Sequence, residues 1–126
     1  MPLELKDSGN KNKVGFLYAW NGLVTLIKTE KNFQIHLTVS IFVIIINVIL
    51  QLSVIEWTII LLTIGSVLIT EAFNTTVELT IDYVKPEFHP QAKIIKDIAA
   101  GAVLLAASIS VIIGIIIYIP KILALL

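Results

Sequence analysis

The chain has 126 residues, 57% of them hydrophobic and 14% charged, with a mean hydropathy of +0.96 and a formal net charge of zero. That is enough for one domain, and it carries more apolar surface than a soluble domain of this size can hide, so a bilayer is the expected solvent. The absence of Cys excludes disulfides, thiolate metal sites and a Cys nucleophile, and the two His lie too far apart for a His-based metal motif.

In chain order, residues 1 to 13 are polar, and no apolar core near the start suggests a cleavable signal peptide. From about 14 to 31, Phe16, Trp20, Leu23, Val24 and Ile27 recur at spacings of three and four, with Lys28, Glu30 and Lys31 closing the run. This pattern predicts an amphipathic helix lying on the membrane surface, or alternatively one packed on the bundle. A first span is expected over about 35–54, almost wholly apolar with Asn47 and two Ser as small exceptions, since twenty residues cover roughly 30 Å. The short link 51–56 sends a second span, about 57–81, back antiparallel, with Trp57 at an interfacial position. The polar segment 82–97 with Pro86 and Pro90 is expected as a loop, and a third span over about 98–119 as ended by Pro120. The fold class is therefore all-α and integral to the membrane: a surface helix and three transmembrane helices.

Lys placement predicts topology. Lys6, Lys11, Lys13, Lys28 and Lys31 precede the first span, Lys85, Lys93 and Lys96 lie in the 82–97 loop, and the 51–56 link has none. Positive residues favour the cytoplasm, so the N-terminus and the 82–97 loop are expected inside, and the C-terminus outside.

The chemistry concentrates in the second span. Glu71, Asn74, Glu78 and Asp82 stand at i, i+3, i+7 and i+11, with Thr75 beside them. At about 100° per residue they share a stripe roughly 80° wide, rising about 16 Å toward the 82–97 loop. A carboxylate deep in a bilayer costs on the order of 2.5–3.5 kcal/mol, and Glu71 is the deepest. Pairing with Lys merely to hold helices together seldom offsets such desolvation, so a functional polar face is the better reading. Glu71 suits a general base or proton carrier; Glu78 and Asp82, nearer the cytoplasm, suit Mg²⁺. Lys96 can meet a phosphate, Asp97 can orient that Lys or accept from a nucleotide, and Glu30 is placed to reach the same level. Carboxylates, one metal and one Lys are the parts of phosphoryl transfer, although neither a Walker loop nor a kinase Gly-rich loop is present. The rival class is a non-enzymatic proton- or cation-conducting subunit. Against it, the first half of the second span, Trp57 to Ser66, offers only Thr and Ser, whereas a conduit needs polar groups along its full depth.

At these residues the sequence resembles the prokaryotic diacylglycerol kinase family, which includes undecaprenol kinases. The strings are E-x-x-N-T-x-x-E-x-x-x-D from Glu71 to Asp82, A-K-x-x-K-D-x-A-A-G-A-V from Ala92 to Val103, Y-A-x-x-G-L from Tyr18 to Leu23, and E-x-N-F-x-I-H from Glu30 to His36. They cover about residues 12 to 107. The resemblance implies a homotrimer in the cell membrane, with sites between subunits, that transfers the γ-phosphate of MgATP to a lipid hydroxyl. It implies Glu71 as the general base and Glu30 and Glu78 as metal ligands. Implied ATP contacts are Lys11, Tyr18, Glu30, Glu78, Glu87, Phe88, His89, Lys96 and Asp97, with Asn74 and Asp82 supporting. Asn32 and His36 resemble the Gram-positive undecaprenol kinase branch, which implies undecaprenol as acceptor; the alternative is diacylglycerol, giving phosphatidic acid.

Overall fold

The computed structural model describes residues 11–126, with side chains from residue 14 onward. Four helices follow one another: α1 Lys11–Thr29, α2 Lys31–Ile49, α3 Val54–Val84 and α4 Pro90–Leu125. The last three are long and apolar enough to cross a membrane. α4 packs most extensively along α3, α2 leans on α3, and α1 touches α2.

α1 and α2 are separated by a single residue. Glu30 is extended (φ −101°, ψ 106°) and spends no side-chain hydrogen bond on capping α2. The corner is pinned instead by the Gln34 side-chain amide, which donates to the carbonyl of Ile27 at 2.9 Å. The Glu30 carboxylate does not cap the helix; its Oε1 accepts from the Thr29 hydroxyl at 3.4 Å.

The first spanning helix ends earlier than its apolar run suggests, at Ile49 rather than near residue 54. Gln51 takes a left-handed conformation (φ 54°). Its N–H donates to the Val48 carbonyl at 3.3 Å, and that of Leu52 to the Asn47 carbonyl at 3.2 Å, while Leu52 is buried. These bonds form a Schellman stop, a motif usually marked by Gly at the left-handed position. α3 then starts at Val54, three residues before the expected span, because Ser53 and Glu56 form a capping box. The Ser53 hydroxyl accepts from the Glu56 N–H at 3.2 Å and the Glu56 carboxylate from the Ser53 N–H at 2.8 Å.

The 82–97 segment is not a loop throughout. α3 continues to Val84, and α4 begins at Pro90, leaving only residues 85–89 between them. At 1.5 Å per residue α3 and α4 are about 46 Å and 54 Å long, well beyond a hydrocarbon thickness of about 30 Å. Their polar ends extend past that thickness as a helical hairpin, and charged residues do not break a helix in water. Pro90 at the first helical position has no N–H to leave unpaired, and His89 Nδ1 caps the turn by accepting from the Gln91 N–H at 3.1 Å. Pro120 does not end the third span either: it lies inside α4. The helix beyond it brings Lys121 to within 3.0 Å of Glu56, tying the end of α4 to the start of α3.

The packing is inverted relative to a soluble protein. Among the described residues, buried apolar side chains are limited to Phe33, Leu52, Ile60 and Val103, whereas Ser40, Asn47, Glu71, Asn74 and Thr75 are all buried. The most apolar stretch of α4 has no residue buried inside the chain. Its apolar side chains face outward, as a lipid solvent demands. Gly101 has open space where a Cβ would stand, so no close helix contact requires a glycine there within the chain.

Candidate active site

α3 places the site because its helical repeat puts residues 71, 74, 75 and 78 on one face. Glu71 is only 3% exposed, and Asn74 and Thr75 are buried beside it. The Asn74 amide nitrogen donates to Glu78 Oε1 at 3.2 Å. His36, entering from α2, brings Nε2 to 3.8 Å from Glu71 Oε2. Glu30, held at the α1–α2 corner, and Glu78 are both near enough for their charges to act on Glu71. Side chains from α3, α2 and the α1–α2 corner thus converge on one buried carboxylate. Glu30 and Thr75 also line an open groove of about 470 Å³ between α1 and α3.

The donors here are hard oxygens. Beyond the carboxylates of Glu30 and Glu78, the buried Oδ1 of Asn74 has no hydrogen-bond partner. Among the described residues no three His, Asp or Glu gather into a metal cage. Two carboxylates and an orphaned amide oxygen fit a cation such as Mg²⁺, which takes one or two protein carboxylates and completes its shell with water and phosphate.

A second cluster lies one turn further along, around the α3–α4 hairpin. A pocket of about 330 Å³ has Asp82, Lys85, Glu87, Phe88, His89, Lys93, Lys96 and Asp97 in its lining. Each Lys here has a carboxylate partner: Lys85 with Glu87 at 2.9 Å, Lys93 with Asp97 at 2.5 Å, and Lys96 with Asp82. The expectation that Asp97 orients Lys96 is therefore corrected. Asp97 reaches Lys93, four residues back on the same helix face, while Lys96 crosses to Asp82 on α3. Asp82 is exposed and spends its carboxylate on Lys96. The Lys85 ammonium holds the Glu87 carboxyl below the usual carboxylate range, so this exposed loop residue is ionised at neutral pH. His89 caps α4, Phe88 is 81% exposed, and Tyr18 is exposed on α1. The Lys11 side chain lies outside the described residues.

A third feature joins the first. An apolar cleft of about 330 Å³ runs between α2, α3 and α4, from His36 at one end to Tyr118 at the other, past Val39, Val43, Ile60 and Ile64. The buried carboxylate thus stands between an apolar cleft and a charged, water-facing hairpin.

The prokaryotic diacylglycerol kinase family model matches residues 17–118. The chain belongs to the prokaryotic diacylglycerol kinase family. It is 44% identical to the undecaprenol kinase of Bacillus subtilis over 106 residues, 84% of this chain and 86% of that protein. It is 41% identical to a diacylglycerol kinase of Synechocystis over 114 residues, 90% of this chain and 65% of that protein. A diacylglycerol kinase of Helicobacter pylori is 30% identical over 88 residues, 70% of this chain and 69% of that protein. In this member of the diacylglycerol kinase family, sequence reasoning missed two contacts. One is the His36–Glu71 approach, since nothing in the spacing ties α2 to α3. The other is the bond from the Tyr118 hydroxyl to buried Asn47, whose only sequence signal was a lone amide in an apolar span.

Proposed function

We propose that this chain transfers the γ-phosphate of ATP to the hydroxyl of a membrane lipid alcohol, with undecaprenol as the acceptor. The observation that carries the reading is the buried Glu71 carboxylate between an apolar cleft and a Lys-bearing hairpin. The names of the relatives support it: one at 44% identity is an undecaprenol kinase, and the diacylglycerol kinases support diacylglycerol as the second acceptor to test.

Glu71 takes the proton of the lipid hydroxyl. The alcohol oxygen forms the new bond to the γ-phosphorus as the bond to the bridging oxygen breaks, and ADP leaves with that electron pair. Glu30 and Glu78 are the residues that would hold Mg²⁺, helped by Asn74, and the ion would supply neutralisation of phosphate charge. Lys96, with Asp97, Tyr18, Lys11 and the 87–89 turn, binds the nucleotide, a role in which Lys96 must exchange Asp82 for phosphate. α1 lies on the membrane surface: Phe16, Trp20, Leu23 and Ile27 are all exposed in the single chain, at helical spacing. The Lys-bearing hairpin and the N-terminus face the cytoplasm. The outward apolar faces and the open α1–α3 groove support a homotrimer in which a neighbouring copy completes each site.

Purified protein in detergent micelles with Mg²⁺ should move ³²P from ATP to undecaprenol. Glu71→Gln should lower that rate about 10²–10⁴-fold while ATP binding persists. A near-normal rate in Glu71→Gln removes Glu71 as the base, and no transfer to any lipid alcohol removes the whole reading.

A further inference from the structure

We infer that His36 is the positioning residue for the acceptor alcohol, and that the cleft it closes selects an alcohol with no other polar groups near its hydroxyl. The inference rests on the lipid kinase reading above and deepens it.

Few hydrogen-bonding side chains line the cleft. Its polar residues are His36, Ser40, Thr63, Ser110 and Tyr118. Ser40 donates its hydroxyl proton to the His36 carbonyl at 2.7 Å, Thr63 to the Ile59 carbonyl at 2.7 Å, and Ser110 to the Ala106 carbonyl at 2.8 Å. Tyr118 donates to Asn47. Every hydroxyl donor of the cleft is thus committed to its own protein. The His36 imidazole makes no hydrogen bond among the described residues, and its Nε2 stands 3.8 Å from Glu71 Oε2. It is partly exposed into the cleft while Glu71 is buried behind it.

This arrangement has two consequences. An alcohol whose chain fills the cleft meets one free polar side chain before Glu71. His36 can fix both the rotamer of Glu71 and the approach of the hydroxyl, which is the geometry general base catalysis needs. Second, ester carbonyls adjacent to a hydroxyl, as in diacylglycerol, lose their water in the cleft and find no donor in exchange. An unpaired buried acceptor is costly, whereas an isoprenoid chain has no acceptor to leave unpaired. From His36 to Asn47, the partner of Tyr118, α2 rises about 16 Å, room for an extended stretch of hydrocarbon.

The test compares a C55 polyprenol with diacylglycerol, in the same micelles at saturating MgATP, for the natural chain, His36→Leu and His36→Gln. The natural chain should show kcat/KM about tenfold or more higher for the polyprenol. His36→Leu should lower kcat about 10- to 100-fold, leaving the KM for ATP within about twofold, and His36→Gln, which restores an N–H, should recover to within about fivefold. Resistance to unfolding in SDS should be alike in both variants. Equal rates in His36→Leu and His36→Gln, whether both normal or both lost, overturn the positioning role. Equal use of the two lipids by the natural chain overturns the selection. Either result, with Glu71→Gln still inactive, leaves the lipid kinase reading standing; transfer to neither lipid by the natural chain defeats both.

Discussion

Asn47 shows how much one polar atom weighs inside a bilayer. It is fully buried, its Oδ1 accepts from Tyr118, and its Nδ2 has no partner. Tyr118→Phe would leave the whole amide unpaired and should destabilise the chain by about 1–3 kcal/mol, the cost of a buried unsatisfied group. Asn47→Leu together with Tyr118→Phe removes both polar partners and should recover most of that loss. Unfolding midpoints in SDS for the two single variants and the double check this; a double variant no better than Tyr118→Phe would contradict it. The bond itself was not legible in the sequence, because the two residues are 71 positions apart. Glu71 was legible, since a carboxylate deep in an apolar run is expensive wherever its partners lie. Its partner His36 was not.

Where the helices stop was the least readable feature of the elements. The apolar run through the first span gives no mark at Gln51, because the left-handed position that ends α2 carries Gln rather than Gly. A side chain there costs roughly 1–2 kcal/mol, partly offset by the extra unfolded-state freedom of Gly. Gln51→Gly should therefore raise stability by about 0.5–1 kcal/mol, read as a higher SDS midpoint at unchanged activity. Pro90 and Pro120 both led α4 to be read as shorter than it is. Pro90 starts a helix instead of sitting in a loop, because the first helical position needs no N–H. Pro120 lies inside α4 instead of ending it. Proline identity alone does not say which: neighbouring helices and the membrane setting decide whether the freed carbonyl is tolerated. The capping box at Ser53 and Glu56, by contrast, is a local pattern open to sequence reading.

At the scale of the whole molecule, the prediction concerns sidedness. Because the chain has no Cys, single introduced thiols report cleanly. Val84→Cys should react with an impermeant reagent only in opened cells, and Ser53→Cys and Leu126→Cys in intact ones; the reverse pattern would overturn the orientation. Composition by itself determined that the chain lives in a bilayer, since its apolar surface exceeds what so short a chain can bury. The 3.6-residue repeat determined that Glu71, Asn74 and Glu78 share a face, since side-chain direction along a helix is a local property. Only the tertiary structure decided which other helices meet that face. It brought His36 and Glu30 to Glu71, gave Lys96 to Asp82 and Lys93 to Asp97, and opened an apolar cleft beside the buried carboxylate. Those pairings depend on helix packing across the bundle, and periodicity along a single helix carries no information about the helix opposite.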